Sequence, residues 1–553
     1  MTQRIMAPIS RTRFCDHTYE CKLWCTLPVR QNADGSDVDV ADPCGRHSTS
    51  ATVAYMKALA PVIAALAGCN TDFAARTCAV DSDCRSGSVC EPRGAELVCV
   101  AAKDAPIAIG HSGPASGPNQ ALGIGMKLGI SLAFDEQNQA GGIRGRELVL
   151  DFRDDAYDPI AAETAARELT KVVTSADAPK CPSTALPVSD GHGNTTPVST
   201  TALARGPGAV LALLGNVGSP TMLRAAPVAV ETGTIYFGAF TGADKLLRDK
   251  TAGDCAKYIF NIRASYAQEA QATVDLFKKR GITGFRSLIS FDQNDAFGDA
   301  GYNGLLTAYV AVYGSFPSGV DLDEPIARFR YARSDDNSVA EQAIAAERYL
   351  EDLAKSGNPD PVGILMTDTY GAGAAFIRFI REWQFNGQPP DGKRNLKIYF
   401  SNLSFVGANS LAERLVNSGN VITPDGPKPF TQDVYVSQVV PNYQNDSSDV
   451  VVAYNRKMAT SGQPPSFTSL EGYISAKIFI AGLLAHPGPL TSDGLIATFE
   501  SLPDLAFGIG ANSGFSSQSH QYSNSVWGTS ITPAGAFKNL YYWTAGSPIQ
   551  FFE

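Results

Sequence analysis

The chain lacks the short signatures by which most enzymes announce themselves. It has no GxSxG elbow, no P-loop, no HExxH and no GxGxxG at a strand–turn–helix junction. Gly123-Ile124-Gly125 falls inside a helical pattern and lacks the third glycine. Histidine is scarce, with six in 553 residues, and His111, His192, His486 and His520 lie far apart in sequence. His520, in SSQSHQYSN, reads as structural. No catalytic function, cofactor or metal is therefore expected. Long apolar runs are also missing: none approaches the roughly 18–20 residues of a membrane-spanning helix. Nor is there an excess of positive charge. Lys and Arg number 45 against 55 Asp and Glu, a net charge of −10. That excludes sequence-independent nucleic-acid binding, which needs a basic surface.

The composition leaves room for a sizeable core. Apolar residues make up 44% and charged residues 18%, enough length and apolar content for two or three domains. The stretch from Pro106 to Pro159 sets the pattern. Pro106–Gly110 is a short apolar run that suits a buried strand, followed by a Gly/Pro/Ser turn over Ser112–Pro118. Leu122, Met126, Ile130, Ala133 and Phe134 then recur at helical steps, and Gly141-Gly142 stops the helix. Glu147–Phe152 reads as a second strand, and Asp158-Pro159 caps the next helix. Strand, helix, strand, helix predicts parallel strands joined by right-handed crossovers. Similar alternation resumes from Tyr266, with helices at 266–280, 297–313, 338–355 and 372–385 and strands at 285–291, 362–367 and 396–401.

Several words along the chain carry a family likeness. They are SGPASGPNQALG, LAFDEQNQAGGIRGRELVL, RDDAYDP, LLGNVGSPT (213–221), FGAFTGA (237–243), FNIRASYAQEA (260–270), FDQNDAFGDAG (291–301), SNLSFVG (401–407) and SLEGY (469–473). In this order, over residues 104–553, the chain resembles the leucine/isoleucine/valine-type periplasmic binding proteins, the type I solute receptors of ABC importers. The resemblance implies an α/β fold of two doubly wound, Rossmann-like lobes joined by a hinge that the chain crosses three times. The crossings fall near 261–263, 438–442 and 517–523. Lobe I would comprise 104–262 plus 442–517, and lobe II 263–441 plus 518–553.

The first hundred residues fall outside that likeness. Residues 1–55 hold Cys15, Cys21, Cys25 and Cys44 with His17 and His47 nearby, but in no recognised zinc spacing. At 56–68, Met56-Lys57 is followed by ALAPVIAALAG, a charge and a short apolar segment before Cys69. This reads as a secretory signal ending in a lipobox-like LAGC, with Cys69 as the lipidated mature terminus. Translation from Met56 would make 1–55 an upstream extension foreign to the mature protein; a short buried helix at 56–68 is the bland alternative. Residues 69–103 then form a cysteine-rich segment with Cys78, Cys84, Cys90 and Cys99. In an exported chain they read as two disulfides with three possible connectivities, metal binding by the same thiols being the alternative. Thr174–Gly208 reads as a long inserted loop. Cys181 within it and Cys255 are the only cysteines left in the body and are expected to pair.

Ligands of doubly wound sheets sit beyond the carboxyl ends of strands. There GNVGSPT places the hydroxyls of Ser219 and Thr221 and free amides at a helix start, which favours an anion, and Thr241 ends the next strand. By resemblance, Ser219 and Thr241 fall at positions that hold the carboxylate and ammonium of an amino acid, while Phe297, Tyr370 and Ser404 close over the ligand. Tyr266 lies beside the first hinge crossing, where an aromatic can enclose an apolar portion. For each, an ordinary cap or core role is the plain alternative. One departure stands out: SNLSFVG has no acid where branched-chain receptors carry a Glu, leaving Asp292, Asp295 or Asp368 as substitutes. The expected protein is a monomeric, lipid-anchored receptor on the periplasmic face of a bacterial membrane. It would deliver an amino acid, amide or organic acid to permease subunits. A sensory lipoprotein signalling to a partner is the rival reading.

Overall fold

The computed structural model describes residues 76–552 apart from 94–95, 178–187, 190–193, 197–200, 244–255, 336, 358–359, 386–394, 506 and 511–512. The expectations for 1–68, Cys69 and the Cys181–Cys255 pair lie outside these residues.

The chain enters through the cysteine-rich module. Strands β1 (Ser88–Arg93) and β2 (Glu96–Ala101) form an antiparallel hairpin. The connectivity that sequence left open is Cys78–Cys90 and Cys84–Cys99. Arg144 and Arg146 fasten the module to the body. Arg146 is buried, donates from Nε to the Ala105 carbonyl at 2.6 Å and pairs with Glu91, while Arg144 pairs with Asp81 and donates to the Gly488 carbonyl at 2.9 Å.

The first sheet follows from the pattern at 106–159. It contains β3 (Ile107–Gly113), β4 (Leu148–Asp154), β5 (Ala212–Leu214), β6 (Ile235–Phe237) and β7 (Ile259–Phe260), in the order β7-β6-β5-β3-β4. All its pairs are parallel. Helices α1 (Gln120–Gln139), α2 (Pro159–Leu169) and α3 (Ser219–Glu231) make the crossovers. As expected, Asp158 caps α2 by accepting from Ile160 and Ala161 N–H. β3 runs three residues further than the apolar run, because buried His111 and Ser112 find partners inside, His111 Nδ1 bonding the Leu214 carbonyl at 2.9 Å and the Ser112 hydroxyl donating to Asp155 at 2.6 Å.

The second sheet begins after α4 (Tyr266–Lys279), whose start is fixed by a Ser265/Gln268 capping box. Its strands are β8 (Leu288–Gln293), β9 (Ala327–Tyr331), β10 (Val362–Thr367), β11 (Ile398–Asn402) and β12 (Val434–Gln438), all parallel. Helices α5 (Ala296–Tyr313), α6 (Asn337–Lys355), α7 (Tyr370–Phe385) and α8 (Ala408–Asn417) flank it. After β12 the chain returns to the first sheet as α9 (Asp449–Ser461), α10 (Phe467–Ala485) and α11 (Ser492–Glu500). It then finishes the second sheet with antiparallel β13 (Ser525–Ile531), β14 (Phe537–Thr544) and β15 (Gln550–Phe551). The resulting order is β9-β8-β10-β11-β12-β13-β14-β15.

Helix α10 is long and apolar enough to span a membrane, yet it is almost wholly buried, lying on α1. Glycines permit that close crossing. A Cβ on Gly129 would stand 2.0 Å from the Ser469 carbonyl, and one on Gly472 would stand 2.5 Å from that of Met126. Two of the three connections between the sheets run side by side. Asn261 N–H donates to the His520 carbonyl at 2.7 Å, and Tyr522 N–H donates to the Asn261 carbonyl at 2.8 Å.

Candidate functional site

The carboxyl ends of β5 and β6 meet the second sheet's helices at one buried place. Gly218, at φ 106°, starts α3; a Cβ there would meet the Tyr157 ring at 2.4 Å, so only glycine fits both the backbone and the space. Its N–H donates to the Phe240 carbonyl at 3.1 Å, which aligns α3 with the loop after β6. The next residue, Ser219, and Thr241 then face each other, with hydroxyl oxygens 2.7 Å apart. Thr221 points the other way: its hydroxyl donates to the Val217 carbonyl and to that of Gly218 at 2.9 Å, so it braces the helix start.

Tyr266 comes from the hinge, where its N–H donates to the Gly242 carbonyl at 2.7 Å. It is fully buried, and its hydroxyl completes no hydrogen bond among the described residues. Burial raises the phenol pKa, against the opposing pull of Arg263, Thr241 and Ser219 nearby. An aromatic group lies alongside. Phe297 packs on Tyr266 with ring centroids 5.3 Å apart and on Phe405 at 4.6 Å. Phe405 also meets Phe240 at 5.2 Å and Tyr157 at 6.0 Å, so rings from both sheets converge on it.

Beside the aromatics is a buried ion cluster. The Arg263 guanidinium lies 5.1 Å from the Phe240 ring centre. It pairs with Glu269 at 3.1 Å and Glu471 at 3.4 Å, and donates to the Ser404 hydroxyl. Burial would lower the guanidinium pKa, but the two carboxylates outweigh it and raise it. Ser404 in turn donates to Glu269 from its N–H at 2.8 Å and its hydroxyl at 3.0 Å. Tyr370 joins the two sheets' helices: its hydroxyl donates to the Pro118 carbonyl, just before α1, and accepts from Ala121 N–H at 3.4 Å.

Five of the seven residues singled out in the sequence thus gather at this place, Tyr370 bridges the helices to Pro118 and Ala121, and Thr221 faces away. The buried acids beside SNLSFVG are Glu269, to which Ser404 donates, and Glu471, which pairs with Arg263. Two of the three aspartates considered as substitutes are engaged elsewhere. Asp292 is held by Arg328 at 2.8 Å, and Asp295 caps α5 through Phe297 N–H and pairs with Arg333 at 3.2 Å. Asp368 is buried at the end of β10, packed against Gly373, and its burial pushes its carboxyl pKa far up. Arg263, Glu269 and Phe405 escaped sequence reading. Their signals were present: a charge in an apolar strand exit, a Glu on the inward face of a capped helix, and a Phe inside a family word.

Residues 106–178 and 192–324 match the family described as periplasmic binding protein. Over 65 residues the chain is 42% identical to Leu/Ile/Val-binding protein homolog 3 of Brucella melitensis, a match covering 12% of this chain and 18% of that one. Among solved structures, a possible leucine/isoleucine/valine-binding protein from Rhodopirellula baltica is similar at 29% identity. It has a TM-score of 0.60 and covers 80% of this chain and 98% of its own. A branched-chain amino acid ABC transporter protein from Thermus thermophilus, solved with bound valine, shares the fold at 12% identity and TM-score 0.55, over 80% of this chain and 97% of its own. By family match and fold together, the chain has the type I periplasmic binding protein fold and is similar to leucine/isoleucine/valine-binding proteins.

Proposed function

We propose that the chain is an extracytoplasmic receptor that closes two lobes around a small polar solute and hands it to an ABC importer. The lobes are 104–262 with 442–517 and 263–441 with 518–553. The solute is an amino acid, amide or related organic acid. Cys69 carries the lipid that holds the receptor at the membrane. The observation that carries this reading is the convergence of the Ser219, Thr241 and Tyr266 hydroxyls, buried between the sheets beside a charged cluster and a ring of aromatics. Hydroxyls and helix-start amides suit an anionic end, and the rings around Phe405 suit an apolar one. The names of the Brucella, Rhodopirellula and Thermus proteins point to the same solute class.

The mechanism is population shift. A solute that touches both lobes only when they meet favours the closed state by its differential affinity, and the Tyr370 contact belongs to that state. A thermal-shift screen over amino acids, amides and organic acids tests the reading. A solute at 100 times its dissociation constant stabilises by about 2.7 kcal/mol, a readily measured rise in melting temperature. If no solute of any of these classes raises it, the receptor reading fails.

A further inference from the structure

We infer that Tyr157 and Phe405, one ring from each sheet's side, close one end of the cleft next to Gly218 and Ser219 and so set the length of solute that the receptor accepts. This rests on the receptor reading above and adds to it the residues that decide solute size.

Tyr157 is placed by a strained loop between β4 and α2. Ala156 and Tyr157 both hold left-handed backbone, at φ 49° and 64°, a region that residues with side chains seldom enter. Two carboxylates keep them there: Asp154 accepts from Ala156 N–H at 2.9 Å, and Asp155 accepts from Tyr157 N–H at 2.9 Å. Asp154 also accepts from Ala115 N–H at 2.8 Å, which ties the loop to the turn after β3. The outcome is a tyrosine ring turned inward, 1% exposed, against the start of α3. Gly218 admits it, since a Cβ there would stand 2.4 Å from the ring. The Tyr157 hydroxyl reaches the second sheet, where Gln293 Nε2 donates to it at 3.4 Å.

Phe405 comes from the opposite side on a fixed turn. Ser404–Val406 form one turn of 3-10 helix after β11. Leu403 N–H donates to the Met366 carbonyl at 3.0 Å, and Ser404 N–H donates to Glu269 at 2.8 Å, so the turn is pinned on both sides of its first residue. Phe405 is fully buried, and its ring centre lies 6.0 Å from that of Tyr157. Phe240 at 5.2 Å and Phe297 at 4.6 Å complete its surroundings. Rings of the protein itself, from both sides, therefore fill the space next to the Gly218-Ser219 turn. A solute whose polar end meets Ser219 and Thr241 has only the room short of Phe405 for its apolar part. A longer solute must push aside a ring that the backbone holds, or keep the two sides apart. An apolar pocket discriminates against one methylene too many by roughly ten- to two-hundredfold.

The test uses the purified full chain and isothermal titration. The probes are three series graded by one methylene: straight-chain α-amino acids, straight-chain carboxylates and their primary amides. The wild type is expected to bind best at a short member of one series and to lose at least tenfold within two further methylenes. Phe405→Ala should move the best length upward by two methylenes or more and bind the longer probe at least tenfold more tightly than the wild type does. A residue that only supports the fold produces no such gain. Tyr157→Phe keeps the ring and should leave the best length where it is. An unchanged best length in Phe405→Ala overturns the inference, and so does a wild type whose affinity climbs steadily to the longest probe; in both cases a solute binds and the receptor reading stands. If Phe405→Ala fails to fold, Phe405→Leu keeps an apolar contact and should still lengthen the best solute by one methylene, an unchanged length again overturning the inference. If no member of any series binds, the receptor reading falls and takes this inference with it.

Discussion

Removing the Tyr370 hydroxyl should loosen the closed state without harming the fold. The hydroxyl donates to the Pro118 carbonyl and accepts weakly, at 3.4 Å, from Ala121 N–H. Both partners lie at the start of α1, on the other side of the cleft from α7. Tyr370→Phe deletes these bonds and keeps the ring, which stays under the Arg414 guanidinium, 5.1 Å from its centre. One good neutral hydrogen bond contributes about 0.5–1.5 kcal/mol net. That loss falls on the closed state alone, so the dissociation constant should rise by roughly two- to tenfold when the solute-free protein is mainly open. Isothermal titration with a solute found by thermal shift measures the change. Small-angle scattering should show less solute-induced compaction, and the melting temperature without solute should stay near the parent value. An unchanged dissociation constant with unchanged compaction refutes the idea that Tyr370 latches the lobes.

Thr241→Val breaks the 2.7 Å contact with Ser219 and removes a hydroxyl from the candidate anion pole; titration should show a loss of about 1.5–3 kcal/mol if the solute end is charged. Asp155 is buried, and burial raises its carboxyl pKa to about 7 despite the Ser112 hydroxyl donating to it at 2.6 Å. Between about pH 4 and 7 the folded state holds a proton that the unfolded state has released, so this group's contribution to stability falls as pH rises through that window. Asp155→Asn should therefore gain on the parent in melting temperature between pH 4 and 7 and keep a constant difference above it. Replacing Cys78 and Cys90 by Ala opens a loop of sequence separation 12 and should cost the module about 3 kcal/mol. Limited proteolysis should then cut within 76–101 while the body melts as before.

The sequence was most legible where one local rule decided the outcome. The apolar run before Ser112, the helical steps from Leu122 to Phe134 and the Asp158 cap all lie within one strand–helix–strand unit. The structure keeps each of them to within a few residues. Strand β9 was missed because Ala327–Tyr331 alternates arginines with apolar residues, and the arginines are held by Asp292 and Asp299 rather than by water. The strand at 285–291 begins three residues later than its apolar pattern, since Phe285–Ser287 form a turn of 3-10 helix. The disulfide pairing depended on the β1–β2 register, which places Cys90 opposite Cys99 yet bonds each to a cysteine outside that pair.

The site divides along the same line. Ser219 and Thr241 were readable because each ends a strand and begins a turn, and parallel neighbours β5 and β6 bring such ends together. The charged cluster was not, because Arg263, Glu269, Ser404 and Glu471 belong to four separate stretches. Arg263 lies in the first connection between the sheets, and Glu269 and Ser404 belong to the second sheet's side. Glu471 reaches the first sheet only after the second connection has carried the chain back. No periodicity within any one stretch encodes that meeting. The connections that join the sheets therefore also assemble the acid and base of the candidate site. Arg263 stands where both carboxylates meet it, 3.1 Å from Glu269 and 3.4 Å from Glu471, so a shift of either sheet's helices relative to the other should break one of these pairs.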